Sequence, residues 1–261
     1  MLIKPLKKFG QNYLKDKNIV IKMIECLNLI ENDSVLEIGP GKGFITNELT
    51  TKVKSLIAVE IDTRVIGELK LLYPTAEIIN TDFTKINFNE LKTAFPLKII
   101  GNIPFNLTGN ILFKLLENKS SINEACLIIP YDIAKRLTAK TRTKEYGSLT
   151  VIFKYFATIT LVTKVSQNVF FPKPNIDASI IHIKFDKSEL LFINNETFIK
   201  VVKAAFGNRR KTLNNSLRNS IFAQCNFSAI NIDLTKRAEE LELNDFIILT
   251  EFIQKDNASR K

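Results

Sequence analysis

Short apolar runs alternate with amphipathic ones through the first half of this chain, and that rhythm admits few folds. Ser34–Ile38, Ser55–Val59 (closed by Glu60), Glu77–Asn80, Leu97–Gly101 and Glu124–Ile129 read as buried strands. Asn18–Ile30, Gly43–Leu49, Ile61–Leu72 and Thr108–Leu116 carry apolar residues at helical spacing. Nearly continuous apolar strands alternating with helices predict βαβ units, hence an α/β fold with a mostly parallel sheet. The rhythm changes after Leu149, Ile152, Phe153 and Phe156, which share one helical face. Thr158–Val165 and Ala178–Phe185 then read as a hairpin at the sheet edge, separated by the proline-rich Phe171-Pro172-Lys173-Pro174.

Strand signals mostly cease beyond Lys187. Phe198–Phe206, Lys211–Ser220, Thr235–Leu241 and Asn244–Gln254 read as helices, the last with Asn244 as N-cap and Asp245 in its first turn. The expectation is an α/β domain over residues 1–187 and a smaller all-helical domain over 188–261. A chain of 261 residues is long enough for both. No apolar run approaches the ~20 residues that cross a bilayer, and the first residues lack the apolar core of a secretory signal, so a cytoplasmic protein without a membrane partner is expected. Cys26, Cys126 and Cys225 show no paired spacing, which indicates neither a disulfide framework nor a metal site.

The formal charge of +10 makes a polyanion the leading partner. Lys4, Lys7, Lys8, Lys15 and Lys17 crowd the N-terminus, and Lys200, Lys203, Arg209, Arg210, Lys211 and Arg218 follow one another with no acidic residue between Lys200 and Arg218. Lysine-rich stretches are commonly solvated surface; the triplet Arg209-Arg210-Lys211, interrupting an apolar pattern, is the better candidate for phosphate contact. The nineteen phenylalanines read mainly as core, and His182, alternating with Ile181 and Ile183, as an outward residue without function.

Glycines at 39, 41 and 43 follow the first strand of the alternating series. A dinucleotide fingerprint needs its third glycine one position later, where Phe44 stands; a phosphate loop needs Ser or Thr after Lys42, where Gly43 stands. Acidic residues end the neighbouring strands. Glu60 is placed to accept from two ribose hydroxyls, Asp82 to hold an adenine amino group with Phe83 against the ring, and Glu37 to orient the loop or approach a cationic amino-acid end. Each alone can be a helix cap, and the glycines alone can be a structural turn. Together, at the ligand-binding edge of a parallel sheet, they suit S-adenosylmethionine, which needs no phosphate site.

Asn102-Ile103-Pro104-Phe105 ends the next strand. The Asn102 amide oxygen and a backbone carbonyl near Ile103 or Pro104 can accept the two hydrogens of a planar amine. Pro104 fixes the backbone and offers no N–H, and Phe105 can stack on a base. A tight post-strand turn is the competing reading. The first reading points to methyl transfer onto an exocyclic nucleobase nitrogen, driven by positioning rather than by a strong base or a metal.

These motifs, with Lys7-Lys8-Phe9-Gly10-Gln11-Asn12-Tyr13-Leu14, Arg136-Leu137-Thr138-Ala139-Lys140, Tyr146-Gly147, Phe171 to Asp177 and Ala205 to Leu213, resemble the ribosomal RNA adenine N6-dimethyltransferases, on their bacterial small-subunit branch. The resemblance spans nearly the whole chain. It implies the seven-stranded Rossmann-like class I methyltransferase sheet, its last strands antiparallel, with a helical RNA-contacting domain. It further implies dimethylation of two adjacent adenosines near the 3′ end of small-subunit (16S) ribosomal RNA, coupled to small-subunit biogenesis, by a monomer. Gln11, Asn12, Leu14, Gly39, Gly41, Glu60, Ile61, Asp82 and Asn102 would surround S-adenosylmethionine, and Asn102, Pro104 and Phe105 would handle the target adenine.

The chain departs from the family pattern at Phe105, where Tyr is usual, at Ile129-Pro130-Tyr131-Asp132, at Ala178 in place of Ser, and at Asn208 in place of Gln before the arginines. The related macrolide-resistance methyltransferases of large-subunit RNA share the amide–proline–aromatic motif, but Pro40, Asp177 and Arg209-Arg210-Lys211 favour the small-subunit branch. An assembly factor with little catalysis and a DNA-associated protein on the same fold are the readings from other classes. Intact Glu60, Asp82 and Asn102 favour an enzyme, and no additional DNA-binding segment is present.

Overall fold

The structure, a computed structural model, describes residues 4–6, 9–186 and 192–258. Its strands are β1 (Tyr13–Leu14), β2 (Ser34–Ile38), β3 (Ser55–Glu60), β4 (Glu77–Asn80), β5 (Leu97–Asn102), β6 (Ile122–Pro130), β7 (Thr158–Val165), β8 (Phe170–Phe171) and β9 (Ala178–Lys184). Its α-helices are α1 (Lys17–Cys26), α2 (Thr46–Leu49), α3 (Thr63–Leu72), α4 (Thr108–Glu117), α5 (Tyr131–Leu137), α6 (Ser148–Phe156), α7 (Asn195–Ala205), α8 (Leu213–Arg218) and α9 (Leu243–Ala258).

Seven strands form one sheet in the order β4-β3-β2-β5-β6-β9-β7. Strands β2 to β6 are parallel along this order, and β9 is antiparallel to β6. Every residue of β2 is buried, as the apolar run Ser34–Ile38 requires of a central strand. The order reverses between β2 and β5, since the chain passes outward through β3 and β4 before returning to the other side of β2. Such a switch point opens a crevice at the strands' C-terminal ends. Gly101 allows β5 to lie close to β2, because a Cβ there would stand 2.7 Å from the Ile38 carbonyl oxygen.

The chain forms two compact units: one runs through Ala134 and includes Ile159–Asp186, and the other combines Lys135–Thr158 with the chain beyond Asp186. The sequence reading places Lys135–Thr158 in the α/β domain, whereas in the structure it groups with the chain beyond Asp186. Aromatic packing explains the difference. Within that unit Tyr155 stacks on Phe198 at 4.1 Å between centroids, and the buried Tyr146 hydroxyl donates to the Leu241 carbonyl over 2.9 Å. Phe206 and Phe246 also stack, and Phe198 and Phe246 are fully buried, as expected for core phenylalanines.

Three local expectations are corrected. Thr235–Leu241 holds only a single 3₁₀ turn, Ala238–Glu240, because the Leu234 and Lys236 carbonyls accept from the first N–H groups of α8, at Asn214 and Leu213. Asn244 lies inside α9, and it is Asp245 that reaches back to accept the Glu242 N–H over 2.8 Å. Gly43 cannot begin a helix, with φ at +79°, so α2 starts at Thr46. The pair β1–β8, two residues on each side, is too short to register as periodicity. No helix among the described residues is long and apolar enough to cross a membrane.

Candidate active site

The C-terminal ends of four neighbouring strands carry the candidate residues. Gly39 and Gly41 follow β2, Glu60 ends β3, Asp82 lies two residues beyond β4, and Asn102 ends β5. They converge on one cavity that Gln11, Asn12, Ile61, Phe83 and Pro104 also line. Gly39 has φ +68°, which favours glycine, and a Cβ there would meet nothing within 4 Å, so it would project into open space. Gly41 has φ +56°, and a Cβ there would stand 2.9 Å from the Tyr13 ring.

Glu60 organises the loop from below. Its Oε2 accepts the Gly41 N–H at 2.9 Å and its Oε1 the Asp62 N–H at 2.8 Å. Burial raises its pKa, and the N–H groups of Asp62 and then Gly41 work against that rise. Each oxygen keeps a second lone pair for a ligand hydroxyl. Asp82 caps the turn after β4, with Oδ1 accepting from the Thr84 N–H and hydroxyl, while Oδ2 has no hydrogen bond among the described residues. Phe83 is buried, and the edge of one ring meets the other between Phe83 and Phe88.

The N-terminal segment is tied across this edge. Asn102 Nδ2 donates to the Asn12 carbonyl at 2.7 Å, leaving Oδ1 as the side chain's acceptor. Gln11 Nε2 donates to Asp62 Oδ2 at 2.9 Å, and Gln11 Oε1 accepts the Leu6 N–H. The Arg64 guanidinium, bonded to Asp62 at 2.6 Å, with Gln11 adding to it, holds the Asp62 carboxyl at a pKa of about 2. The resemblance gave Gln11 and Asn12 roles at the cofactor; the structure shows what fixes them, and the Asp62–Arg64 anchor had no motif to announce it.

A second cavity is lined by Leu14, Lys15, Pro40, Lys42, Phe44 and Phe171, among others. The two cavities share Tyr13, Gly39 and Asn102. The Tyr13 hydroxyl is buried without a hydrogen-bond partner, and burial raises its pKa. A polar ligand at this boundary would relieve that deficit. Tyr13 and Phe171 reach the site through the β1–β8 pairing, which sequence periodicity did not reveal.

Two candidates stand apart from the cavities. Glu37 lines neither; it is fully buried, accepts the Thr46 hydroxyl at 2.7 Å, and has its pKa raised to about 8 by burial, with Glu60 adding to the rise. Its position suits orientation of the loop. Phe105 also lines neither, packing against the core edge-on to Phe170 with centroids 6.4 Å apart.

Of the basic candidates, Lys8 lies outside the described residues. Lys200, Lys203, Arg209, Arg210 and Lys211 are exposed. Partners from outside this run hold two of them: Lys200 pairs with Glu196, one turn earlier on α7, at 2.6 Å, and Arg209 with the distant Glu239 at 2.8 Å and the Lys144 carbonyl.

The sequence model of the ribosomal RNA adenine dimethylases matches residues 4–255. The chain belongs to that family. It is 40% identical over 244 residues to the ribosomal RNA small subunit methyltransferase A of Chlorobium phaeobacteroides, covering 93% of this chain and 91% of that protein. It is 35% identical to the protein of the same name from Francisella tularensis subsp. novicida, covering 96% and 98%. Among solved structures, a dimethyladenosine transferase from Plasmodium falciparum superposes with TM-score 0.80 at 25% identity, covering 94% of this chain and 98% of that one. A 23S rRNA methyltransferase superposes with TM-score 0.69 at 24% identity, covering 93% and 100%, a likeness of fold. As a member of this family the protein is an S-adenosylmethionine-dependent rRNA adenine methyltransferase on a Rossmann-like fold. The residues present fit that cofactor: an open glycine turn, two carboxylates with spare acceptor capacity and an orphaned buried hydroxyl.

Proposed function

We propose that this chain dimethylates N6 of two adjacent adenosines near the 3′ end of small-subunit (16S) ribosomal RNA, in the cytoplasm, as a monomer, on the immature small subunit. The observation that carries the reading is the meeting of two cavities at Asn102, one fitted for a nucleoside-like cofactor and the other flanked by Lys15, Lys42, Phe44 and Phe171. The small-subunit assignment is supported by relatives of that name matching nearly full length.

In this reading Gly39, Gly41, Glu60, Ile61, Asp82 and Phe83 hold S-adenosylmethionine, with Gln11, Asn12 and Leu14 closing over it and Glu37 bracing the loop. The bound cofactor supplies an electrophilic sulfonium methyl. An adenine N6 lone pair is delocalised, so what the chain contributes is aim and pyramidalisation. Asn102 Oδ1 accepts one amine hydrogen and a backbone carbonyl near Pro104 the other, both fixed before the base arrives. Phe105, whose ring packs on Phe170 and lines neither cavity here, stacks on the base once the base enters. Positioning and dipoles suffice for this transfer, so the proposal includes no metal. The base must be unpaired or flipped to enter. Exposed Lys203, Arg210 and Lys211, with Lys8, Lys200 and Arg209, grip the RNA backbone.

The test is mass mapping of adenine methylation after incubating the purified protein and S-adenosylmethionine with small-subunit RNA, small-subunit particles and large-subunit RNA. Dimethyladenosine at two adjacent small-subunit positions is the expected result. Modification confined to large-subunit RNA would overturn the assignment.

A further inference from the structure

The side-chain amide of Gln11 is held at both ends. Its Nε2 donates to Asp62 Oδ2 at 2.9 Å, and its Oε1 accepts the Leu6 N–H at 2.8 Å. The carbonyl of the next residue, Asn12, accepts from Asn102 Nδ2 at 2.7 Å. Gln11-Asn12 therefore spans from just beyond β3 to the end of β5, and both residues line the first cavity with Glu60 and Asn102. Asp62 lines neither cavity and is only 1% exposed. It does more than begin α3. Its Oδ1 accepts the Arg64 N–H at 3.2 Å, as a helix cap does, but a cap needs only one oxygen. Arg64 also grips the carboxylate with two guanidinium nitrogens, Nε on Oδ1 at 2.8 Å and Nη2 on Oδ2 at 2.6 Å. Such a fork fixes the plane of the carboxylate, and Oδ2 is thereby presented to Gln11. The Asp62 N–H meanwhile donates to Glu60 Oε1 at 2.8 Å. One residue thus bonds both the Glu60 carboxylate and the bridge that orients Asn102.

We propose that Asp62 is a positioning residue for methyl transfer: through Gln11 it sets the Asn12 carbonyl, and through that carbonyl the aim of Asn102 Oδ1, while holding the bridge against bound S-adenosylmethionine. The inference rests on the reading of the first cavity as the cofactor site and of Asn102 as the amine acceptor. Asp62 touches neither cofactor nor base in this role. Because Asn102 Nδ2 is spent on Asn12, the direction of its Oδ1 follows the bridge. Neutralising Asp62 leaves Gln11 Nε2 without its charged acceptor and the Arg64 fork without a counter-charge. The bridge then loses its fixed place, and small misplacements of a reacting group cost rate steeply.

The experiment compares wild type, Asp62→Asn, Gln11→Ala and the double variant as full-length proteins, with folding checked by circular dichroism. S-adenosylhomocysteine release is followed by stopped flow without RNA, and single-turnover methyl transfer to small-subunit RNA is measured with cofactor and RNA saturating. Asp62→Asn should release S-adenosylhomocysteine about tenfold faster and lower the saturated transfer rate about tenfold, the worth of one hydrogen bond to a charged group. The double variant should be no worse than Gln11→Ala, because both substitutions act through one bond. Arg64→Lys, which keeps the charge but not the fork, should shift both rates the same way by about threefold, and tests the inference even if Asp62→Asn does not fold. A merely capping Asp62 would lower the melting temperature and leave both rates unchanged. Unchanged rates in folded Asp62→Asn or Arg64→Lys, or losses that multiply in the double variant, would overturn the proposal. Wild-type protein that binds S-adenosylhomocysteine but leaves small-subunit RNA unmethylated would instead fault the substrate reading, and the release rates would still decide the role of Asp62.

Discussion

At the C-terminal edge of the sheet Glu60 is held by the backbone N–H groups of Gly41 and Asp62, whereas in the helical unit Arg209 is held by the Glu239 side chain and the Lys144 carbonyl. The first arrangement is written into residues at the ends of neighbouring strands, because a parallel sheet delivers its C-terminal edges to one place. The second depends on which distant side chains the tertiary fold brings up. A site built on backbone is therefore both better fixed and easier to see than a charged surface. It should also respond more sharply to substitution.

The sharpest contrast is expected at Asn102. Asn102→Ala removes the proposed amine acceptor and the bond to the Asn12 carbonyl, and should lower methyl transfer by about 100-fold or more, in line with loss of one preorganised polar group. RNA binding by a gel-shift or filter assay should stay within a few-fold, and equal loss of both in a folded variant would remove Asn102 from catalysis. Phe105 tests the same edge with a smaller effect. Phe105→Ala should cost ~1–3 kcal/mol in transfer, the worth of a stacking aromatic, while Phe105→Tyr stays near wild type. Similar single-turnover rates for the two variants would show that the ring contributes only through its packing against Phe170.

On the helical side, Arg210→Glu with Lys211→Glu should weaken RNA binding and flatten its dependence on salt, by about 0.7 in log–log slope for each phosphate no longer neutralised. Arg209→Glu should do the same and also break the ion pair with Glu239. Unchanged salt slopes would take this surface out of the RNA interface.

Glu37 should show the smallest effect on turnover and a distinct effect on stability. Its folded pKa of about 8 lies above the ordinary value of 4.5, so between those limits the folded state holds a proton that the unfolded state has released. Stability therefore falls as pH rises through that window. Glu37→Gln should flatten the decline, measured as thermal or denaturant midpoints from pH 4.5 to 8. An identical pH profile in the variant would mean that Glu37 is ionised where it sits.

Much of the fold and of the strand-end cluster around the first cavity was legible because both rest on repeating backbone geometry. The apolar strands and the residues at their ends, Gly39, Glu60, Asp82 and Asn102, follow from period and position alone. Other features needed three dimensions. Tyr13 and Phe171 reach the second cavity through a two-residue pairing too short to show a period. The 235–241 segment has helical composition, yet it is held by backbone bonds to α8 that propensity cannot anticipate. Cys126 and His182 lie on strands far apart in sequence, so only strand order makes them register partners.

The most direct measurement of the central claim is an experimental structure of this protein with S-adenosylhomocysteine. The adenosine moiety is expected between Glu60 and Asp82, its ribose on the Glu60 carboxylate and its sulfur directed toward Asn102. A ligand bound elsewhere, or bound in this cavity without touching Glu60 or Asp82, would contradict that claim.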